Sequence, residues 1–429
     1  MRRSAATLVE YKATIAVGTY AIVVTEPSTS RRPRLWVVSE LFYPEEVSTG
    51  HFVTGIAEGL SGTFDVRVLC SQPSYAMRGA LAPSDEIRNG IRIHRVQPPL
   101  FDKNVLPLRI LTSLLVTTSL AVALARRVAP RDHVLVVTNP PMLPYVVALV
   151  CRIRGAAYTV LVHDVYPDVL IAVGFVARGG VVDRILSRAV RWLYDGAEQV
   201  VGLGRDMARN ISGRMSAPTK VHVIPNWGDD EQIIPTHPNS GDRFVVQYLG
   251  NMGRTHDIET LVGAARLTRD DDIVWTFVGD GAKRSVVERE LATGSAGNIA
   301  LCDRVSAEQL SNTLASADIS VVAFVTGMSG ISVPSRVYNV MCAARPLLLV
   351  ADADSEVAEL VREYGIGWVV PPGDPVGLAE TVRRLASDRA AIASAGAAAR
   401  ALAEAAFTRR AVIDRFRGMF RATLDAQTA

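Results

Sequence analysis

Short apolar runs recur along the chain from Leu35 onward, and stretches with helical periodicity separate most of them. The first run, Leu35–Val38, stops at the polar residue Ser39, as a strand buried in a parallel sheet does. Strands that alternate with helices are typical of a parallel sheet covered on both faces. The pattern predicts strands at Leu35–Ser39, Asp65–Cys70, Ile91–Val96, His133–Thr138, Tyr158–His163, Gln199–Gly202 and Lys220–Ile224.

A polar loop from Pro225 to Asp242 interrupts this pattern, and a second series of alternating elements follows it. Two such series predict an α/β protein with two doubly wound, Rossmann-like domains that face each other across a cleft. Ligands of such sheets bind beyond the carboxyl ends of the strands. The second series predicts strands at Arg243–Leu249, Ile273–Val278, Ile299–Leu301, Ile319–Phe324, Pro346–Val350 and Gly367–Val370.

These boundaries divide the chain into four parts. Residues 1–33 are predicted to be a disordered or non-native extension; they contain an apolar stretch of signal-peptide length, but no small-residue cleavage pattern follows it. Residues 34–230 form the predicted first domain and residues 231–405 the second. Residues 406–429 are predicted to form a C-terminal helix that packs back towards the first domain.

The composition excludes several classes of protein. A chain of 429 residues with 49% hydrophobic and 21% charged residues is neither disordered nor collagenous. Its formal net charge of +3 argues against a nucleic-acid partner. The charge is unevenly spread, however, because 19 basic and 10 acidic residues lie between Arg78 and Lys220. This part of the chain is expected to be attracted to anionic surfaces.

The four cysteines form no closely spaced pair and lie in or beside apolar runs. We interpret them as small buried side chains in a reducing compartment, which places the protein in the cytoplasm. The cysteines have no metal-ligand spacing. Asp352-Ala353-Asp354 has the form of a metal-binding D-x-D pattern, but we interpret it and the acidic turn Asp270–Asp272 as solvated loops, so no metal is expected. The cysteines are Cys70, Cys151, Cys302 and Cys342.

Two helical segments of the first domain bear on the question of whether the protein contacts a membrane. The apolar segment Ile110–Ala125 is too short to span a hydrocarbon core of roughly 30 Å. It can be a core helix or a helix that touches a membrane surface, and the sequence leaves both open. Arg184, Arg188 and Arg191 are spaced as one helical stripe, which can be a solvated face or a lipid-facing one. Together with the basic bias they favour peripheral attachment to an anionic leaflet.

Two glycine loops of the second domain end near arginines. The first runs from Gly250 to Arg254, and the second runs from Thr326 to Arg336. Backbone amides in such loops bind phosphate oxygens, and guanidinium groups neutralise the charge that builds on a leaving group. The two loops together predict a diphosphate site at the top of this sheet.

The order of motifs along Leu35–Phe420 resembles the glycosyltransferase family 4 type of GT-B enzymes. It is most like the sub-group that builds exopolysaccharide and lipid-linked precursors, including colanic-acid-type transferases. No single motif is specific, but their order and spacing are. The matching segments are 39–45 with Gly50, 139–141, 163–167, 224–227, 250–253, 278–281, 317–318, 333–339 and 370–372.

The resemblance implies a retaining, metal-independent transfer of a sugar from a nucleotide diphosphate sugar to a lipid-linked or polysaccharide acceptor, without a cofactor. The first domain would bind the acceptor and the second the donor. His163 and Asp164 would lie near the reacting sugar and the acceptor hydroxyl. The diphosphate would be bound by Gly50, Arg254, Arg336, Ser329, Gly330 and Ser332, and the nucleoside by Asp303, Val305 and Asn339.

Some positions depart from the family pattern. The family usually has two glutamates with seven residues between them, where this chain has Ile331 and Asn339, and a lysine where it has His256. Asn339 can still accept from ribose hydroxyls through its amide oxygen, more weakly than a carboxylate. Neutralisation of the diphosphate would therefore fall on Arg254 and Arg336.

Alternative functions remain open from the sequence alone. The same fold could carry a nucleotide-sugar epimerase of the UDP-GlcNAc type, or a non-catalytic partner that binds a sugar nucleotide. His163 and Asp164 could also form a purely structural hydrogen-bonding corner. No second carboxylate is assignable as a nucleophile, so we favour front-face transfer, in which the leaving phosphate assists deprotonation of the acceptor.

Overall fold

The computed structural model describes residues 32–45, 47–73, 81–99, 101, 106–235, 242–294 and 297–428. The predicted N-terminal extension lies outside these ranges up to residue 31. Pro33–Ala429 forms one compact unit, to which all the elements below belong.

The first lobe contains an eight-stranded sheet with the order β3-β4-β2-β1-β5-β6-β7-β8. All neighbours pair in parallel except β3, which is antiparallel to β4. β3 is the one strand of this sheet that the sequence pattern missed, because three of its four residues are charged, as in a surface loop. The strands are β1 (Arg34–Val38), β2 (Asp65–Ser71), β3 (Asp85–Arg88), β4 (Ile91–Val96), β5 (His133–Val137), β6 (Ala157–Val162), β7 (Gln199–Gly202) and β8 (Val221–Val223).

Helices cover both faces of this sheet. In sequence order α2 packs on α3, and α3 packs on α5. The central strand β5 is buried along its whole length, which explains its continuous apolar pattern. The helices are α1 (Ser48–Leu60), α2 (Leu106–Ala125), α3 (Leu143–Arg154), α4 (Asp168–Ala172), α5 (Val181–Gly196) and α6 (Arg205–Ser212).

The second lobe contains a six-stranded, wholly parallel sheet with the order β11-β10-β9-β12-β13-β14. Each of its strands matches a predicted one. The prediction of two doubly wound α/β domains is therefore confirmed. The strands are β9 (Phe244–Leu249), β10 (Ile273–Val278), β11 (Ile299–Cys302), β12 (Ile319–Ala323), β13 (Leu347–Val350) and β14 (Gly367–Val370).

Side-chain caps fix the start of several helices in this lobe. Asp257, Asp374 and Asp388 each accept an amide hydrogen from the first turn of the helix that follows. The helices of this lobe are α7 (Ile258–Leu267), α8 (Arg284–Ala292), α9 (Ala307–Ala315), α10 (Arg336–Cys342), α11 (Glu356–Tyr364), α12 (Pro375–Ala386) and α13 (Arg389–Ala406), and α14 (Arg409–Thr428) follows them in the chain.

One cysteine differs from its prediction. Cys70, Cys151 and Cys342 are buried, but Cys302 is exposed. Cys302 is the last residue of β11, which lies at the edge of its sheet. Among the described residues no further strand pairs with that edge, and the expectation that all four thiols are buried is wrong for Cys302.

The chain passes between the lobes twice, and the two passages lie side by side. The Gly228 amide donates to the Phe407 carbonyl at 3.0 Å, and Gly228 forms a parallel bridge with Thr408. After the second passage α14 packs on α1 of the first lobe. Arg409 binds Glu58 there at 2.9 Å. The last helix of the chain therefore belongs to the first lobe.

Trp227, in the first of the two connections between the lobes, packs closely against α1. Its ring is fully buried and meets the Phe52 ring edge-on at 4.8 Å between centroids. A Cβ on Gly55 would lie 2.4 Å from the indole Cζ2 atom. Only glycine lets the helix approach the indole this closely.

We expect Gly55→Ala to lower the free energy of unfolding by about 1–2 kcal/mol, because overpacking outweighs the gain in helix propensity. The matched control is Gly418→Ala in α14, where an added Cβ meets nothing within 4 Å. This control should be neutral or stabilising. Chemical denaturation measures the free energy of unfolding of both variants. Equal stability of the two variants would contradict the close packing of Gly55 against Trp227.

Candidate functional site

The two lobes meet where β6 ends in the first and where the loop after β12 runs in the second. Asp164 and Ser332 form an isolated antiparallel bridge across this junction. The Val165 amide donates to the Ile331 carbonyl at 2.9 Å. The structure therefore brings together Asp164 and Ser332, which lie 168 positions apart and which the sequence analysis assigned to one site.

His163 precedes this bridge and is held as a neutral imidazole. Its backbone amide donates to the Thr138 hydroxyl at 3.0 Å, and its Nδ1 lies 3.4 Å from the Thr49 hydroxyl. Its Nε2 is buried and has no partner among the described residues. Burial lowers the pKa of His163 to about 4. At neutral pH the ring can therefore donate or accept one hydrogen bond at the cleft without carrying charge.

The Asp164 carboxyl is also shielded from water. Burial raises its pKa, and a hydrogen bond from the Ser332 side chain partly opposes that shift. A carboxylate with a raised pKa is a better proton acceptor than an exposed one, provided that an acceptor hydroxyl comes within reach. This geometry agrees with a site role as well as with a structural corner.

Arg336 is packed into the second lobe beside the first glycine loop. Its guanidinium lies 4.8 Å above the Tyr248 ring centroid, and its Nη2 donates to the Asn251 carbonyl at 3.2 Å. Its Nη1 is buried and has no partner among the described residues. A buried cationic N–H group without an acceptor is costly. An anion at the Gly250 loop would supply the missing acceptor.

His256 stands beside Arg336, at the position where the family usually has lysine. Its Nε2 lies 3.0 Å from Arg336 Nη2. Burial, Arg336 and Lys283 lower the pKa of His256 to about 3. His256 is therefore neutral and adds no charge to the site, in contrast to a lysine. Arg254, in the same loop, is exposed, and no hydrogen bond or ion pair engages it in the described part of the chain.

The second glycine loop differs from the expectation for its amides. Asp352 Oδ2 accepts from the amides of Gly327, Met328 and Ser329 at 2.8, 2.9 and 3.2 Å. Consecutive amides that converge on one oxygen form an anion nest. Here a carboxylate of the protein fills that nest. The Ser329 amide is therefore not open to a donor phosphate in this structure.

The Gly330 amide is engaged from the opposite lobe. It donates to Asp206 Oδ2 at 2.8 Å, and the Gly330 carbonyl accepts from Asn210 Nδ2 at 3.0 Å. Asp206 and Asn210 both belong to α6 of the first lobe. Asp206 Oδ2 also accepts from the Glu356 amide at 3.0 Å, at the start of α11. One buried carboxylate thus binds two segments of the second lobe.

The residues assigned to the nucleoside lie further along the second lobe. Asn339 Oδ1 accepts from the Asp229 amide at 3.0 Å, so one of its lone pairs is already used. Asp303 is exposed and pairs with Arg284 at 2.9 Å, and Val305 follows in the same β11–α9 loop. The structure does not bring Asp303 and Asn339 into contact with each other.

The start of α1 approaches the second lobe. The hydroxyls of Ser48 and Ser335 are 3.0 Å apart, and His51 pairs with Asp229 at 3.1 Å. A Cβ on Gly50 would lie 2.7 Å from the Glu45 carbonyl oxygen, so glycine allows this turn to close on the loop after β1. Because Ser335 precedes Arg336, the backbone of Arg336 lies at the lobe junction.

Sequence reasoning missed Asp206, Asn210 and the role of Asp352. Asp206 lies in the first turn of a helix, where an acidic residue usually only complements the helix dipole. Asp352 was interpreted as a solvated loop residue. Each of these two carboxylates accepts hydrogen bonds from backbone amides more than 20 positions away in the sequence. No local sequence pattern predicts such contacts. Among the described residues, no group of three or more His, Cys, Asp or Glu side chains could hold a metal ion.

Comparison with known proteins identifies the family. A model described as "Glycosyl transferase 4-like domain" matches residues 49–227, and one described as "Glycosyl transferases group 1" matches residues 243–388. The chain belongs to the glycosyltransferases of this type. The matched families transfer glycosyl groups, which favours transfer over the epimerase alternative.

Curated relatives agree with this assignment. The chain is 28% identical over 359 residues to a "Probable glycosyltransferase WbjE" of Pseudomonas aeruginosa, covering 81% of this chain and 88% of that one. It is 21% identical over 250 residues to WcaI of Escherichia coli (strain K12), a protein ascribed to colanic acid biosynthesis. That alignment covers 55% of this chain and 61% of WcaI. The glycosyltransferase therefore belongs with enzymes of glycan biosynthesis.

Solved structures confirm the GT-B fold. Sucrose-phosphate synthase from Thermosynechococcus elongatus matches with a TM-score of 0.74 at 16% identity, covering 92% of this chain and 100% of that one. WaaG, a glycosyltransferase of lipopolysaccharide biosynthesis, matches with a TM-score of 0.62 at 13% identity, covering 89% and 98%. At these identities the likeness concerns the fold alone.

We expect Asp206→Ala in this glycosyltransferase to lower the free energy of unfolding by about 2–3 kcal/mol, because two amides of the second lobe lose a buried, charged acceptor. The control is Asp388→Ala, which removes a cap within one lobe and should cost only about 1 kcal/mol. Chemical denaturation compares them. If Asp206→Ala lowers the free energy of unfolding no more than the control does, the contact does not stabilise the docking of the lobes.

Proposed function

We propose that this glycosyltransferase transfers a sugar, with retention, from a nucleotide diphosphate sugar to a lipid-linked or polysaccharide acceptor at the cytoplasmic face of the membrane. The observation that carries the donor assignment is the buried, unpartnered Nη1 of Arg336 beside the Gly250 loop. A diphosphate oxygen is the acceptor that best suits a guanidinium N–H group. Structures of HepE from Anabaena, which has the same fold, contain UDP and UDP-glucose. A uridine nucleotide sugar is therefore the first donor to test.

The chemistry follows from the charges around the cleft. Arg336 and Arg254 neutralise the diphosphate as its bond to the sugar breaks, and this part of the proposal needs no metal. His163, as a neutral imidazole, donates a hydrogen bond to the sugar. Asp164 orients the acceptor hydroxyl, and the leaving phosphate on the same face takes its proton. The acceptor oxygen then bonds to the anomeric carbon from the side that the phosphate leaves, which preserves the configuration.

The engaged amides of the second glycine loop set a condition on donor binding. Asp352 and Asp206 already accept from Ser329 and Gly330. A donor that used these amides would have to displace two carboxylates. The Ser332 hydroxyl is engaged as well, because it donates to Asp164. Binding through the arginines needs no such displacement, so the proposal assigns the diphosphate mainly to the arginines.

We expect Arg336→Ala to reduce transfer by about a hundredfold or more, since removing a group that stabilises transition-state charge has such effects. Thermal shift with UDP-, GDP- and TDP-sugars should show weaker donor binding in the variant. Arg336→Lys keeps the charge without the planar fork and should lie between wild type and alanine. Arg384→Ala, an exposed arginine of α12, is the control. Unchanged transfer by a folded Arg336→Ala variant would refute the site.

Membrane attachment rests on the exposed side of the α2, α3 and α5 helices. Ile110, Leu114 and Ile153 are 53%, 48% and 73% exposed, and on α5 Val181 and Ile185 are 70% and 60% exposed. α2 also buries a second side in the core, so it is both a core helix and a surface one. Exposed apolar side chains are common singly, but a shared face of several is not.

Arginines accompany the apolar side chains on α5. Arg184, Arg188 and Arg191 are all exposed, as are Ile185 and Trp192 on the same helix. Apolar side chains that enter the acyl boundary and arginines at the headgroups suit an anionic leaflet. No helix in the described ranges is long and apolar enough to cross a membrane. The proposed attachment is therefore peripheral.

We expect Ile185→Glu to weaken binding to anionic vesicles by about tenfold or more, because it removes an apolar contact and adds repulsion. The matched control is Val376→Glu on α12 of the second lobe, whose side chain is 55% exposed. Co-sedimentation with vesicles of phosphatidylcholine and phosphatidylglycerol measures both. Equal binding by the two variants would rule out this face as the attachment surface.

A further inference from the structure

An open groove lies on the first lobe between β4 and the C-terminal half of α2. It has a volume of about 370 Å³. This is near the lower end of small-molecule sites, roughly 300–1,000 Å³, which leaves room for a headgroup but not for a whole lipid-linked glycan. Its polar lining consists of His94, Thr118, Ser119, Arg126 and Arg127.

A short chain of hydrogen bonds fixes one of the two arginines. Arg127 Nη2 lies 2.8 Å from His94 Nε2, and His94 Nδ1 lies 2.7 Å from Asp85 Oδ1. A guanidinium can only donate, so Nε2 accepts and the proton of the neutral ring is on Nδ1, which donates to Asp85. Arg127 Nη1 donates to the Ala123 carbonyl at 3.1 Å. Arg127 is thereby held in place while its charge is not directly paired with a carboxylate.

Arg126, the other arginine, is exposed and has no hydrogen-bond or ion-pair partner in the described part of the chain. Two guanidinium groups and two hydroxyls therefore line one concave surface, and none of its lining residues is an aspartate or a glutamate. Asp85 is linked to this lining through its hydrogen bond with His94. Guanidinium groups bind phosphate oxygens through paired, charge-assisted hydrogen bonds.

We propose that this groove binds a phosphate group. The phosphate can be that of a lipid headgroup or that of a soluble phosphate ester, and the chemistry of recognition is the same. Val122 of the groove lining is 43% exposed, and Leu114, about two turns earlier on α2, is 48% exposed. Exposed apolar side chains close to the arginines favour the lipid; that preference rests on the proposed membrane attachment.

The groove is separate from the reaction centre. Val96, at the carboxyl end of β4, lines the groove, whereas His163 follows β6. Three strands separate β4 from β6 in the sheet, which corresponds to about 19 Å at the usual strand spacing. Substitutions in the groove should therefore leave the transfer to a soluble acceptor unchanged.

The test compares wild type with Arg126→Gln and with the double variant Arg126→Gln/Arg127→Gln. Vesicles of phosphatidylcholine contain either phosphatidic acid or a fatty acid, which carries negative charge without a phosphate. Wild type should prefer the phosphatidic acid vesicles. The double variant should lose this preference and bind them about thirtyfold more weakly, at the usual contribution of an arginine near an anionic surface. Arg126 is exposed and has no hydrogen-bond or ion-pair partner among the described residues, so the single variant should fold as wild type does.

The matched control is Arg289→Gln/Arg384→Gln, which removes the same charge from exposed positions of the second lobe and should bind as wild type does. Titration with inorganic phosphate by calorimetry forms the second arm. Loss of phosphate binding in the groove variants without any vesicle effect would assign the site to a soluble phosphate. Groove variants that match wild type in both arms would overturn the proposal.

These outcomes remain distinct from those of the proposed function. A wild-type protein that binds no vesicle at all would remove the membrane attachment, while the calorimetric arm would still decide whether the groove binds phosphate. Conversely, vesicle binding that depends on Ile185 but not on Arg126 or Arg127, together with unchanged binding of inorganic phosphate by the groove variants, would keep the attachment and refute the groove.

Discussion

One buried carboxylate, that of Asp206, ties the two lobes of this glycosyltransferase together. It is 5% exposed and accepts amide hydrogens from the Gly330 loop and from the start of α11. Both partners belong to the other lobe. The relative position of the lobes therefore depends on this buried acceptor. Beside it, Arg205 pairs with Glu356 at 3.2 Å and with Glu363 at 2.8 Å. Those pairs are more exposed and therefore stabilise the contact less.

The Asp206 contact also bears on which hydrogen-bonding groups of the cleft are already occupied. Carboxylates of Asp206 and Asp352 occupy amides in the loop that the family resemblance assigns to an anionic donor. A carboxylate and a phosphate oxygen compete for the same N–H groups, since both are anionic acceptors. The arginine side is different, because Arg336 Nη1 has no acceptor among the described residues. The structure thus separates an occupied anion nest from a cation whose hydrogen-bonding capacity is incompletely used.

The fold was predictable in most respects, and the site only in part. Buried parallel strands leave continuous apolar runs, so the strands of both sheets could be located from sequence apart from β3. That strand lies at an edge, and Asp85–Arg88 contains a single apolar residue, Ile87, so it carries little signal. Arg336, His163 and Asp164 could be proposed from motif order. The contacts of Asp206 with Gly330 and Glu356 join residues 124 and 150 positions apart. A contact between residues so far apart depends on how the lobes dock, which no periodicity encodes.

In the first lobe, one sheet carries the helices with exposed apolar side chains, and its strand ends carry the candidate site residues and the groove. The carboxyl ends of its parallel strands lie at a single edge, so the end of β6 at the cleft and the end of β4 at the groove share that edge. α2, α3 and α5 pack in succession on the same sheet and carry the exposed apolar side chains. Under the proposed function, a lobe built this way holds a lipid surface against its helices while the strand ends present His163 and Asp164 to an acceptor. The basic bias between Arg78 and Lys220 therefore has a structural counterpart, because that segment builds nearly all of this lobe beyond its first two strands.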